Sequence, residues 1–384
     1  RDINIVKLNK ELSRGPNAGA VKVGLDIATG RLASGKEYSI AAINIKEKGE
    51  RINFLFLENY TGRAGLTAED REGLKEFGIR NDTDIGHLDS PGLEGVWLIH
   101  DEVFLDIDDN GVATIQVNRP KKANALTTDI AARIAGFLNS IKDDPGVKLV
   151  ILRSNEKGFI AGGDLKELID QMGSFNKPNA FPAMYQMERE TILAMHEVAA
   201  KIPVVTLVDG VGLGWGLALG FAGGHMIVTD RSRLATPQTT IGHFQNVGES
   251  HYVPRSISRH VSPEIARARA KYIAMAEELM PGPRVRGMGL ADALVEVGRL
   301  GDLDRELRAL AKNYSGSSET MRQEVTALLG LYDLQKEKDP QEFKWIGEFF
   351  GHESFNEIVE GLDTASGKND EKGQFAQRTL QALR

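Results

Sequence analysis

The sequence contains no cysteine. Disulfide bonds, thiolate nucleophiles and cysteine-ligated zinc are therefore excluded. Long apolar runs are also missing, since none reaches the roughly 18 residues of a membrane-spanning helix. Positive charge is scarce, because 54 acidic residues outnumber 47 lysines and arginines and give a formal net charge of -7. This balance disfavours a general attraction to nucleic acid, but it permits a local basic patch or docking onto other proteins.

What is present is ordinary globular composition, with 41% hydrophobic and 26% charged residues in a chain of 384. Residues 1–100 differ from the rest, because charged and glycine-rich segments surround two short apolar stretches, from Val21 to Ile27 and from Ile52 to Leu57. Thr67 stands where it can cap a helix. We expect an accessory N-terminal extension here, with no catalytic motif.

From about Val103 the pattern changes to alternating strand and helix signals. The predicted strands are 112–117, 148–152, 204–208 and 226–228, and the predicted helices are 127–141 and 180–200. This order predicts an α/β core over 101–262 with right-handed crossovers. The apolar spacing after Pro263 predicts a mostly helical C-terminal region over 263–384.

Three stretches follow one another along the predicted core, and the last two contain glycines: 117–126 (VNRPKKANAL), 158–165 (GFIAGGDL) and 209–217 (DGVGLGWGL). In this order they resemble the crotonase superfamily. The resemblance implies a crotonase-like core, a spiral of ββα units of the kind shared with ClpP. Its site would stabilise the negative charge that develops on a CoA thioester.

A further set of stretches resembles the 3-hydroxyisobutyryl-CoA hydrolase branch of that superfamily. The set consists of 236–248 (TPQTTIGHFQNVG), 253–255 (VPR), 289–295 (GLADALV) and 354–362 (SFNEIVEGL). Each motif alone is weak, but together they lie in family order over roughly the last three quarters of the chain. Hydrolases of this branch continue beyond the position of Arg384 with helices that help to close the acyl-CoA pocket.

The resemblance assigns the oxyanion-binding N–H groups to Ala161 and Trp215. Two backbone donors aimed at the developing charge are the usual way to stabilise such an intermediate. The glycines of the two turns, which let the backbone approach a ligand, are Gly162, Gly163, Gly214 and Gly216. The alternative is that these turns serve only tight packing of strand ends on helices.

The catalytic positions depart from the family pattern. Gln238 and Asn246 stand where the hydrolase branch has acidic residues, and Ala218 stands where the hydratase branch has a glutamate. An amide cannot take a proton from water at neutral pH, and loss of one general base typically costs about 10²–10⁴ in rate. Trp215 occupies a position that is usually glycine, so we expect its indole to fill the pocket.

Glu249 is the candidate replacement acid, because it is flanked by His243 and His251. The alternative is a solvated loop residue. Asp164 opens a predicted helix and suits a capping role. The histidines show no metal-ligand spacing, so no metal site is expected. No cofactor is expected either, and a CoA thioester would be a substrate or ligand if the pocket is open.

Three functions remain open. The first is a catalytically silent structural subunit of a large assembly, since relatives of 3-hydroxyisobutyryl-CoA hydrolase are built into the small subunit of the mitochondrial ribosome in several lineages. This implies protein partners, a local rRNA contact, no membrane and a mitochondrial matrix location, and a start at Arg1 fits a removed transit peptide. The second is an active acyl-CoA hydrolase, and the third is a module that binds acyl-CoA without processing it.

Overall fold

The computed structural model describes residues 102–383, except 155–157, 168, 170–179, 243 and 335–339, together with five strands between residues 26 and 100. The chain divides into two compact units, Arg1–Phe104 and Leu105–Arg384. Each unit is described separately below.

The first unit contains an antiparallel sheet in the order β1-β2-β3-β5-β4. Its strands are β1 (Asp26–Arg31), β2 (Glu37–Ile45), β3 (Glu50–Leu57), β4 (Ile85–His87) and β5 (Val96–His100). The apolar stretch from Ile52 to Leu57 lies within β3. The helix predicted to begin near Thr67 lies outside the described residues.

The second unit is built on a six-stranded sheet in the order β14-β11-β9-β8-β7-β6, in which β7, β8, β9, β11 and β14 run parallel. Its strands are β6 (Val103–Ile107), β7 (Val112–Val117), β8 (Leu149–Ser154), β9 (Val204–Val208), β11 (Gly224–Thr229) and β14 (Ala293–Val295). A smaller sheet has the order β10-β12-β13, with β10 (Val211–Leu213), β12 (Arg233–Ala235) and β13 (Met280–Pro281). The four predicted strands are confirmed, and the continuous apolar run in β8 is explained by its burial in the centre of the sheet.

Helices follow the strands as the sequence pattern predicts. They are α1 (Thr128–Ile141), α2 (Ala180–Lys201), α3 (Gly214–Gly223), α4 (Glu249–Ser258), α5 (Pro263–Ala276), α6 (Gly282–Gly287), α7 (Leu300–Asn313), α8 (Ser318–Tyr332), α9 (Gln341–Phe350), α10 (Phe355–Ser366) and α11 (Glu371–Ala382). Helix α1 begins where Thr127 accepts a hydrogen bond from the N–H of Ile130. The helical character after Pro263 is confirmed. None of the described helices is both long and apolar enough to cross a bilayer.

One hydrophobic cluster joins the sheet to the C-terminal helices. Val112, Ile151 and Ile227 from three strands share it with Leu307 of α7 and Leu329 of α8, and all five are buried. Because each helix buries only one apolar face, α7 and α8 need the sheet to complete their core. Helices α7 and α8 therefore belong to the same folded body as the sheet.

Candidate active site

Two turns at the carboxyl ends of β8 and β9 lie side by side. The N–H of Leu213 donates to the carbonyl of Ile160 over 2.9 Å, and Ala161 forms a parallel bridge with Leu213. Only glycine fits at position 216, because a Cβ there would lie 2.5 Å from both the Cβ and the carbonyl oxygen of Ile160. The close approach of α3 to the first turn is thus built into the sequence.

The two turns border a cleft with a cavity volume of about 180 Å³. The lining residues include Ala161, Gly162, Gly163, Glu188, Gly214, Trp215, Gln238 and Asn246. Most residues assigned from the resemblance therefore lie together. Gly216 and Ala218 are exceptions, since they are buried in α3 and are not among the lining residues.

The Trp215 indole lies at the wall of this cleft. Its side chain is buried, and a Cβ at position 163 would lie 3.7 Å from its Cε3 atom. The indole Nε1 has no hydrogen-bond partner among the described residues. The indole is buried, but the prediction that it fills the pocket is wrong, because a cleft of about 180 Å³ remains beside it.

One of the two assigned oxyanion donors is already engaged. The N–H of Ala161 donates to the carbonyl oxygen of Ala123 over 3.2 Å. Ala123 adopts a left-handed conformation with φ of 50°, which is uncommon for a residue with a Cβ. Trp215 lies in the first turn of α3, where backbone N–H groups lack intrahelical acceptors. An oxyanion could use the Ala161 N–H only by displacing the Ala123 carbonyl.

Glu249 is buried rather than solvated. It is the first residue of α4 and its exposed fraction is 3%. Its Oε2 atom accepts a hydrogen bond of 2.5 Å from Nε2 of Gln238, while burial raises the pKa of its carboxyl to about 7. Glu249 lines a different cavity, on the other side of Gln238. His251 is exposed and packs edge-on against Tyr252, and His243 lies outside the described residues.

Sequence reasoning missed the carboxylate that does line the cleft, Glu188 of α2. Its exposed fraction is 7%, and its Oε2 atom accepts a hydrogen bond from Nδ2 of Asn246. Burial, and then the negative charge of Glu249, raise the pKa of Glu188 to about 7. The available signal was its spacing, because Glu188, Ile192 and Met195 share the buried face of one helix. An acid on such a face is rarely accidental.

Asp164 has the capping role predicted for it. Its Oδ1 atom accepts from the N–H groups of Lys166 and Glu167, and its Oδ2 atom pairs with Arg119 over 2.6 Å. Burial acts to raise the pKa of Asp164, but these hydrogen bonds outweigh it and hold the pKa below the usual value. Asp164 is therefore an ionised structural carboxylate. Where the structure describes the chain, no three His, Asp or Glu side chains are grouped as metal ligands.

Comparisons with known proteins agree with this geometry. The family model described as enoyl-CoA hydratase/isomerase matches residues 112–384. The 3-hydroxyisobutyryl-CoA hydrolase, mitochondrial, of Gallus gallus is 27% identical over 283 residues, covering 71% of this chain and 66% of that protein. The 3-hydroxyisobutyryl-CoA hydrolase-like protein 5 of Arabidopsis thaliana is 24% identical over 271 residues, with the same two coverages. The chain thus matches about two thirds of the length of these relatives.

The solved structures show the fold. The crystal structure of a carnitinyl-CoA dehydratase from Mycobacterium thermoresistibile matches with a TM-score of 0.57 and 21% identity, covering 73% of this chain and 74% of that one. The crotonase-type core and the likeness to the hydrolase branch, both predicted from sequence motifs, are confirmed.

Proposed function

The chain belongs to the enoyl-CoA hydratase/isomerase family, and we propose that it is a catalytically silent member of that family. We propose further that it serves as a protein-binding subunit of a large assembly, the small subunit of the mitochondrial ribosome. Relatives named as mitochondrial hydrolases support a mitochondrial location, for which we propose the matrix. The net charge of -7 favours protein partners over extensive rRNA contact.

The observation that supports a catalytically silent protein is the arrangement of hydrogen bonds in the cleft beside the two turns. The Ala161 N–H is bonded to the Ala123 carbonyl, and amides occupy both positions where the hydrolase branch has acids. Gln238 and Asn246 donate to carboxylates instead of activating water. A site with one of its two oxyanion donors already bonded and with amides in the base positions is weakened in two separate contributions to catalysis.

Activity is tested with the purified full chain and 3-hydroxyisobutyryl-CoA, following release of free CoA. We expect a rate indistinguishable from the reaction without protein, while the Gallus gallus hydrolase turns over under the same conditions. Turnover comparable to that control would refute silence.

The assembly is tested separately by tagging the chain in its source cells and fractionating mitochondrial lysate on a sucrose gradient. We expect the tagged chain to sediment with small ribosomal subunits and to shift with them when the subunits dissociate. Recovery in the free fractions alone would refute the ribosomal role and leave the activity result standing.

A second candidate function, thioester hydrolysis, is favoured by Glu188. A buried carboxyl with a pKa of about 7 in the cleft is suited to take a proton from water at neutral pH. If the chain does release CoA, Glu188→Gln should lower kcat by at least about 10². Glu249→Gln is the matched control, because it removes an equally buried acid that does not line the cleft.

A further inference from the structure

A second cavity of about 260 Å³ lies between α4, α5 and the segment that carries Gln238. We call it the rear cavity and define it by Thr236, Gln245, Glu249, Val253, Arg267 and Lys271. It is larger than the roughly 150 Å³ engineered cavity that accommodates benzene, so it has room for more than six non-hydrogen atoms.

The inner end of the rear cavity contains two oxygen atoms that accept no hydrogen bond from the described residues. Oε1 of Glu249 and Oε1 of Gln245 are buried and have no hydrogen-bond partner within the described part of the chain. Glu249 is 3% exposed, and the hydrogen bond that its carboxylate accepts from Gln238 uses the other oxygen, Oε2. A buried acceptor, and above all a buried carboxylate, is costly unless a donor or a cation reaches it. A cationic group with several N–H donors would satisfy both oxygens and would favour the ionised form of Glu249.

The walls and the mouth define the rest of the ligand. Val253, Ile273 and Ala274 make the walls apolar, which suits a short aliphatic body. Arg267 and Lys271 bring two cationic side chains to the lining, and one N–H of the Lys271 ammonium donates to the carbonyl oxygen of His352. The Arg267 guanidinium pairs with Glu264 at 3.7 Å in an exposed, weak ion pair, so it is available to a better-placed anion. A carboxylate at the mouth would complement both cations.

We propose that the rear cavity is a binding site for a short aliphatic ω-amino acid, with the ammonium group donating to Glu249 and Gln245 and the carboxylate facing Arg267 and Lys271. The site lies outside the cleft and does not depend on catalysis there. Gln238 connects the two, since it lines the cleft and donates to Glu249.

Calorimetric titration of the full chain with 5-aminopentanoate tests the site. Pentylamine lacks the carboxylate and pentanoate lacks the ammonium group, so each should bind at least tenfold more weakly. Equal affinities for the three compounds, or no heat from 5-aminopentanoate at millimolar concentration, would overturn the proposal.

Substitutions in and outside the rear cavity test whether 5-aminopentanoate binds there. Glu249→Gln should weaken 5-aminopentanoate at least tenfold, whereas Glu188→Gln, an equally buried acid of the cleft, should change affinity by less than threefold. Ala270→Leu fills the rear cavity and should abolish binding.

The mouth is probed by surface variants that leave the fold intact. Arg267→Gln should weaken 5-aminopentanoate about fivefold without affecting pentylamine. Arg305→Gln is the matched control, because Arg305 is also exposed and paired with an acid three residues earlier. Identical effects of the two arginine variants would place the ligand elsewhere and refute the site.

Discussion

Two buried acids each accept a hydrogen bond from an amide, and the two acid–amide pairs differ in the cavity that they line. Glu188 with Asn246 lines the cleft beside the Ala161 turn, while Glu249 with Gln238 closes the rear cavity. Burial raises both carboxyl pKa values to about 7. A raised pKa therefore does not identify a catalytic acid by itself. The cavity that the acid faces makes the distinction.

The largest expected effect comes from Gln238→Glu, which introduces the acid that the resemblance assigns to this position. This variant puts a second carboxyl in hydrogen-bond contact with Glu249, so that both cannot ionise together. We expect the free energy of unfolding at pH 8 to fall by about 4 kcal/mol, in the range measured for an uncompensated buried charge. Urea denaturation followed by circular dichroism measures it.

Asn246→Asp is the counterpart in the cleft and should cost less, because Asn246 is only partly buried whereas Gln238 is buried. At pH 5 both costs should shrink, since the paired acids take up protons. An equal loss in the free energy of unfolding for Gln238→Glu and Asn246→Asp at pH 8 would contradict the difference in burial between the two pairs.

The next effect is the dependence of stability on pH. The folded state keeps protons on Glu188 and Glu249 up to about pH 7, whereas the unfolded state releases them near the ordinary pKa of 4.5. Stability therefore falls as pH rises from about 4.5 to 7, by up to about 3 kcal/mol for each group. Glu249→Gln and Glu188→Gln should each remove part of this decline and be more stable than the parent at pH 8. An unchanged pH profile of unfolding would mean that neither acid is protonated in the folded chain.

The smallest expected effect on stability comes from backbone strain at two left-handed residues. Ala123 and Glu277 both adopt left-handed conformations, with φ of 50° and 47°. Ala123→Gly should raise the free energy of unfolding by about 1 kcal/mol, because glycine adopts this region without steric cost. Glu277→Gly should lower it, since the Glu277 carboxylate accepts hydrogen bonds from Thr239 and Thr240. Thermal unfolding distinguishes the two. Stabilisation of both variants would show that strain at Glu277 outweighs its hydrogen bonds, and destabilisation of both would show that strain does not govern Ala123.

The fold was largely readable from residue patterns. The continuous apolar runs in β8 and β9 indicated buried parallel strands, and Thr127 marked the start of α1. The motif order brought the Ala161 and Trp215 turns together correctly. Such features depend on local propensity and on spacing, which a single sequence records.

The contacts within the candidate site could not be predicted from the sequence in the same way. The contact of the Ala161 N–H with Ala123 depends on two left-handed residues in a turn that carries no glycine. Glu188 lies far from the motifs in sequence, and only tertiary packing of α2 brings it to Asn246. The burial of Glu249 likewise depends on where α4 packs. Long-range contacts of this kind leave little trace in periodicity.

The strand order of the main sheet also governs when the chain can finish folding. Strand β14 pairs with β11 through Ile227 and Ala293, and helices α4, α5 and α6 and strands β12 and β13 lie between them in sequence. Parallel strands that are this far apart in sequence pair slowly, because the chain between them must be ordered first. During synthesis the sheet edge next to β11 stays open until Val295 has emerged. The nascent protein therefore presents unpaired backbone at this edge while residues 230–295 are being made, which is the interval in which a chaperone would protect it.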